Sequence, residues 1–247
     1  MLRHILIAVQ FLTVFRVRDD LAETPLDMAA SVAWFPVAGL GLGGVVALFG
    51  YLFASVFPAP VTGLLMVLVL ALGCQGLHLD GLADTADAMF SHRDRDRKLA
   101  IMKDSAIGVF GALALIFAVG LKALLLADLA YSPGGAAVVL LFPVWGRMAG
   151  SVVASLSRYA RAEGGLGQAF VDLAGPRELI ISGSLTLLFS IIIMGLSGLI
   201  CALSVALFAV VGVEYWRRKL GGVTGDIIGT TIETGELFGL LVASILS

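Results

Sequence analysis

Charge is scarce in this chain. Asp, Glu, Lys and Arg make up 14% of its 247 residues, where a soluble domain carries about 25%. Hydrophobic residues reach 59% and the mean hydropathy is +1.01, which excludes a soluble globular domain. Only two cysteines are present, Cys74 and Cys201, and both fall inside apolar runs. They offer neither a disulfide framework nor a zinc spacing, and read as small buried hydrophobes. The few histidines form no metal motif, and there is no Walker lysine loop and no Ser-His-Asp set. His78 and His92 stand alone. The net charge of −2 points to no partner by itself, and nucleic acid is not expected as one. The N-terminal stretch around Arg3 and His4 lacks a small-residue cleavage site, and Arg16 and Arg18 follow it. It is expected to be a retained in-plane helix.

What the chain has instead is long apolar runs. A transmembrane helix needs about 20 mostly apolar residues. Runs at 34–57, 61–76, 107–131, 135–157 and 179–213 qualify, with a weaker one at 237–246. The 179–213 run is too long for one crossing, and Gly195-Leu196-Ser197-Gly198 is the expected break. The reading is all-α: a polytopic transmembrane helix bundle of about six to seven spans, forming one integral membrane domain over 1–247.

The loops fall into two sets. Segments 58–60, 132–134 and 195–198 carry no charge. The N-terminal segment and segments 78–104, 158–178 and 217–226 hold 14 of the 16 Lys and Arg residues. The sets alternate, as an up-and-down bundle requires, and the positive-inside rule places the charged set in the cytoplasm. Of the acids, only Asp128 falls near the uncharged side. Every reactive cluster is therefore expected on one face, which favours an enzyme with water-soluble reactants over a transporter, whose polar groups line the midplane. Lys122 lies deeper, and a structural pair with Asp128 is expected.

Asp80, Asp84 and Asp87 follow an apolar run in His78-Leu79-Asp80-Gly81-Leu82-Ala83-Asp84-Thr85-Ala86-Asp87. On a helix, at roughly 100° per residue, Asp84 and Asp87 lie about 40° and 20° to either side of Asp80. Three like charges on one stripe call for a cation between them, and a hard divalent ion such as Mg²⁺ takes oxygen ligands. The bland alternative is a solvated helix end. The segment Ser91–Lys98 reads as a solvated turn or as a basic rim for an anion. In Ile101-Met102-Lys103-Asp104-Ser105-Ala106-Ile107-Gly108, Lys103 is a candidate phosphate contact and Asp104 a candidate fourth metal ligand or a helix cap. The loop Gly221-Gly222-Val223-Thr224-Gly225-Asp226 presents backbone N–H groups at a helix start, with Gly222 as a candidate phosphate contact. On the following helix, Asp226, Thr230 and Glu233 share one face. Arg147, inside an apolar span, needs a carboxylate or phosphate partner. Arg158, Arg161 and Gly164-Gly165-Leu166-Gly167 add basic groups and close-approach positions. Carboxylates, cations and glycines in this combination suit phosphoryl transfer.

The segments HLDGLADTADA, IMKDSAIG and GGVTGDIIGTTIETGE closely resemble the signature stretches of the adenosylcobinamide-GDP ribazoletransferase family, the cobalamin synthases. Phe11-Leu12-Thr13, Trp34-Phe35-Pro36-Val37-Ala38-Gly39, Gly146-Arg147, and Arg161 with Gly165-Leu166-Gly167 match in the same order along nearly the whole chain. Two departures are Ala88-Met89-Phe90, where a glycine is expected, and Ala106, where an arginine is expected. The resemblance implies a multi-pass enzyme of the bacterial inner membrane. It would join adenosylcobinamide-GDP to α-ribazole or its 5′-phosphate and release GMP, with Mg²⁺ as cofactor. Asp80, Asp84, Asp87 and Asp104 are then the candidate Mg²⁺ ligands, with Asp87 or Asp84 as the base. Lys103, Arg147 and Arg161 offset phosphate charge, and Asp226 and Glu233 bind a second metal or the ribazole. A homo-oligomer is left open. The alternatives are a CDP-alcohol phosphotransferase, whose arginine-containing stretch is poorly matched at Asp84, and a cation or small-solute transporter.

Overall fold

The computed structural model of the chain describes residues 1–17, 21, 24–165 and 167–246; Arg18 and Leu166 lie outside the described residues. Eleven α-helices are described, with no named strand among the described residues: α1 (Leu2–Leu12), α2 (Pro25–Ser31), α3 (Phe35–Ala54), α4 (Ala59–Gly73), α5 (Leu77–Phe90), α6 (Arg95–Ile101), α7 (Val109–Tyr131), α8 (Gly135–Leu156), α9 (Gln168–Asp172), α10 (Pro176–Leu220) and α11 (Gly225–Leu246). A short 3₁₀ turn, Val32–Trp34, joins α2 to α3.

Local chemistry sets the boundaries. Thr24 and Asp27 form a reciprocal capping box, and Pro25 occupies the first turn of α2, where its missing N–H costs nothing. The 45 residues of α10 would extend about 68 Å at 1.5 Å per residue, more than twice the hydrocarbon thickness. Gly195, with φ 61° and ψ −133°, breaks it. A Cβ at Gly198 would run into the Ser190 carbonyl, so the chain reverses here and α10 is a helical hairpin. The expected break falls where the sequence placed it.

Five helices are long and apolar enough to cross a membrane, or six with the α4–α5 pair, which bends by 95°. With α10 folded on itself, the bundle has six crossings, or seven with the α4–α5 pair. It is a multi-pass membrane fold. α8 is its axis: 83% of its apolar window is buried, against 22–33% for α3, α7 and α10, whose outer faces are left for lipid. Gly39 and Gly43 let α3 meet α8 backbone to backbone; a Cβ at Gly39 would sit 2.6 Å from the Pro143 carbonyl oxygen. One core joins Leu126, Phe142 and Trp145 to Val205 and Leu240. A second, at the charged end, gathers Leu12, Phe35, Phe170, Val223 and Ile227.

Two expectations are corrected. Lys122 does not pair with Asp128, which is exposed; its Nζ lies 2.5 Å from both Glu233 and Glu236 on α11. Nor do all charged clusters sit at one end. Lys122, Arg147, Glu233 and Glu236 form a buried network within the bundle, in which Arg147 also pairs with Glu236 and its Nη2 lies 2.9 Å from Cys74 Sγ. Two cations and two anions make the group neutral, which is how a charge survives in an apolar interior.

Candidate active site

The carboxylates of the first motif are placed by a sharp turn. After α4, Gln75 and Gly76 both adopt positive φ (55° and 68°), and Gln75 Nε2 donates to the Thr13 carbonyl at 3.2 Å. The chain then enters α5. α5 crosses α11 at Gly81, where a Cβ would lie 2.6 Å from the Asp226 carbonyl oxygen. The Thr230 hydroxyl fastens the crossing, within 2.8–2.9 Å of the Gly81 and Asp226 carbonyls and the Thr85 hydroxyl. The first and third motifs, 145 residues apart in sequence at Thr85 and Thr230, are thus one unit.

Asp80, Asp84, Lys103 and Asp104 line one open cleft of about 660 Å³. Asp80, Asp226 and Asp87 all lie within electrostatic reach of Asp84, and Arg161 supplies positive charge. Arg161 Nη2 donates to Asp226 Oδ2 at 2.8 Å, and the Thr224 hydroxyl reaches the same oxygen at 3.1 Å. Lys103 pairs with Glu163. Its ammonium donates to the Glu163 carboxylate and holds that group below the usual carboxylate range. Asp104 Oδ1 accepts from Ala106 N at 3.0 Å, a local turn contact that leaves the other oxygen to the cleft.

Asp87 faces elsewhere. Its two oxygens accept from Gly108 N at 2.7 Å and Gly111 N at 2.9 Å. A carboxylate at a helix N-terminus satisfies orphan N–H groups and favours the dipole. A Cβ at either glycine would collide with it. The acid that the sequence put forward as base and metal ligand therefore starts α7. Arg147 and Glu233 do not line the cleft either; both belong to the buried network. Gly222 packs where a Cβ would strike the Arg158 carbonyl, beside the paired backbones of Arg158–Ala160 and Val223.

Sequence reasoning missed Arg95. Within the segment read as a solvated turn or basic rim, its Nε donates to the Leu220 carbonyl at 2.8 Å and its Nη2 to the Ala160 carbonyl at 2.6 Å. It clamps the two segments that carry Arg161 and Asp226. Nothing in a run of alternating charges distinguishes one clamp from its neighbours.

A second cavity, of about 120 Å³, opens on the other side of Asp80. Phe11, Phe35, Phe170, His78, Asp80 and Asp226 are among the residues that line it. Asp80 therefore borders both spaces. Among the described residues, no three His, Cys, Asp or Glu side chains converge closely enough to hold a metal by themselves.

The chain matches the cobalamin-5-phosphate synthase family model over residues 4–244. It is 36% identical to the adenosylcobinamide-GDP ribazoletransferase of Acetivibrio thermocellus, over 98% of this chain and 97% of that protein. It is 38% identical to that of Syntrophobacter fumaroxidans over 98% of each, and 41% identical to that of an Escherichia coli strain over 84% of each. No solved structure matches the chain. Matched from end to end, this chain belongs to the cobalamin-5-phosphate synthase family.

Proposed function

We propose that the protein is an adenosylcobinamide-GDP ribazoletransferase acting at the cytoplasmic face of a bacterial inner membrane, in the last stage of cobalamin synthesis. The single observation that carries this reading is the cleft lined by Asp80, Asp84, Asp104 and Lys103, in a chain that matches transferases of that name from end to end. The clustering of Lys and Arg at this end of the bundle supports the cytoplasmic placement.

The donor set suits Mg²⁺. This ion dehydrates reluctantly and is held by one or two carboxylates plus substrate phosphates rather than by an all-protein cage. A cleft lined by the carboxylates of Asp80, Asp84 and Asp104 fits that habit. Asp80 and Asp84, with Asp104 opposite, are the residues that would hold it. When bound, Mg²⁺ neutralises diphosphate charge and polarises the phosphorus.

The chain's own residues do the rest. Lys103 and Arg161 receive the phosphate oxygens, giving up part of their contacts to Glu163 and Asp226. A ribose hydroxyl of α-ribazole, or of its 5′-phosphate, attacks the cobinamide-side phosphorus. One P–O bond forms, the P–O bond to GMP breaks, and GMP leaves with the electron pair. Asp84 or Asp226 takes the hydroxyl proton, because Asp87 is committed to α7. Arg147 and Glu233 serve the scaffold.

The test is incubation of membranes containing the protein with adenosylcobinamide-GDP, α-ribazole and Mg²⁺, with GMP release as the readout. Asp80→Asn is expected to lower the rate by about a hundredfold or more, the scale of losing a preorganised electrostatic contact, and to raise the Mg²⁺ requirement. Full turnover with unchanged Mg²⁺ dependence would overturn the metal assignment.

A further inference from the structure

α5 and α10 both pack on α11. Between them lies a groove of about 450 Å³. α5 lines it with Leu82, Ala86 and Met89, and α11 with Thr230, Thr231 and Thr234. The threonine hydroxyls are already committed. Thr231 donates to the Ile227 carbonyl at 2.8 Å, Thr234 to the Thr230 carbonyl at 2.7 Å, and Thr230 fastens the α5–α11 crossing. The groove therefore offers methyl groups and aliphatic side chains, which suit an apolar occupant and not a polar one. Val211 and Phe90, which also line it, are exposed on the outer surface of the bundle.

The α10 side carries the second observation. Phe208, Val211, Gly212, Tyr215 and Trp216 line the groove, at the spacing of one helical stripe. From Phe208 to Trp216 the stripe runs about 12 Å at 1.5 Å per residue, close to the hydrocarbon depth of one leaflet, about 15 Å. Phe208 stands midway between the break at Gly195 and the end of α10 at Leu220, so the groove extends from the middle of the bilayer to the charged surface. The next positions of the same stripe are Arg218 and Lys219, three and four residues beyond Tyr215. Glu214 takes both Arg217 and Arg218. Lys219 has no carboxylate partner among the described residues, so the turn keeps a net positive charge. The Tyr215 ring meets Trp216 edge-on at 4.8 Å, and neither the Tyr215 hydroxyl nor Trp216 Nε1 donates to a protein group among the described residues. Amphipathic rings with free donors sit at headgroup level.

We propose that this groove binds one acyl chain of an anionic phospholipid from the leaflet at the charged end, with the headgroup on Lys219 and Arg218 and the glycerol region beside Tyr215 and Trp216. Any lipid tail can cover apolar side chains; the cations at the end of the stripe select the charge. The bound chain braces the neighbouring cleft from behind. Thr85 and Thr230, which join α5 to α11, line the groove, while Asp80 and Asp84 of the same α5 line the cleft.

The experiment uses the full-length protein in nanodiscs of phosphatidylcholine and phosphatidylglycerol, each lipid brominated along its acyl chains in turn. The signal is Trp216 fluorescence, read as the difference between the wild type and Trp216→Phe. Brominated phosphatidylglycerol should half-quench it at a mole fraction about fivefold below that of brominated phosphatidylcholine, the scale of one surface cation. High salt should shrink that preference, and Lys219→Gln should remove most of it. A Cβ at Gly212 meets only Trp216 Nε1, at 3.9 Å, so Gly212→Leu fills the groove without striking backbone. It should weaken quenching by both lipids, as should Ala114→Leu from the α7 side. Equal quenching by the two lipids in the wild type, or a preference that survives Lys219→Gln, would overturn the anionic site. Quenching unchanged in both filling variants would put the lipid outside the groove and refute the proposal. A Trp216 that neither lipid quenches would mean that protein, a second copy included, covers the groove instead. Lipid contact is read without GMP release, so a failure of the proposed reaction would leave this result intact.

Discussion

Removing the charge of Lys122 distinguishes a structural network from a catalytic one. Lys122 Nζ lies 2.5 Å from Glu233 and from Glu236, and its side chain is 2% exposed. Lys122→Met keeps most of the volume and leaves two buried carboxylates to share Arg147. Breaking a buried ion pair by removing one partner costs about 3–5 kcal/mol. For a chain of this size each kcal/mol moves Tm by about 2–4 °C, so Tm should fall by about 6–20 °C. Adding Glu233→Gln restores neutrality around the Arg147–Glu236 pair and should return more than half of the loss, since coupled buried charges are not additive. Thermal unfolding in detergent reads both effects, with the buried Trp145 as a fluorescent reporter. Below the transition, GMP release per folded molecule should keep its Mg²⁺ midpoint. A single variant that melts within about 2 °C of the parent, or a double variant that melts below the single, would refute the network's structural role. A shifted Mg²⁺ midpoint at unchanged Tm would return Glu233 to the reaction.

Asp87→Asn should cost about 0.5–2 kcal/mol, the scale of a lost helix cap, and Gly111→Ala should cost no less; a large fall in kcat with no change in Tm would instead make Asp87 the base. Arg95→Lys removes the fork that reaches the Leu220 and Ala160 carbonyls and should destabilise by about 1–3 kcal/mol in thermal unfolding, whereas Arg97→Lys should be neutral. Glu163 is held below its ordinary carboxyl range by Lys103, so the pair's contribution is present above the unfolded carboxyl value and disappears as pH falls through the lower folded one. Both partners are exposed (45% and 61%), which keeps that contribution small. Glu163→Gln should leave Tm unchanged and lower KM for adenosylcobinamide-GDP by freeing Lys103, a result that steady-state kinetics at neutral pH would check.

Much of the architecture is written locally and needs no partner to be read. An apolar run longer than the hydrocarbon is thick must cross it as a helix, because lipid satisfies no backbone group. A glycine-containing break in too long a run must turn, and it does so at Gly195. The grouping of Asp80 and Asp84 follows from helical periodicity alone. The alternation of charged and uncharged loops orders the bundle's ends.

Contacts between distant segments were decided by the fold. The angular argument puts Asp80, Asp84 and Asp87 on one stripe but cannot say what each meets, and only the packing of α7 against α5 turns Asp87 toward Gly108 and Gly111. Asp226 and Glu233 also share a face by periodicity, yet two turns of depth separate the lining of the second cavity from a buried ion pair. Lys122 looks nearest to Asp128 along the chain, while its partners are 111 and 114 residues away. Arg95 is one cation in an alternating run until two carbonyls are brought to it. Phe11, Phe35 and Phe170 pack together only because α1, α3 and α9 converge. Sequence by itself determined the membrane helices, their order and the family, because hydropathy, periodicity and motif spacing are properties of neighbours along the chain. Tertiary structure decided which acids face the cleft, which charges are buried in the scaffold, and that Asp80 stands between two cavities. Those are properties of groups that only packing brings together.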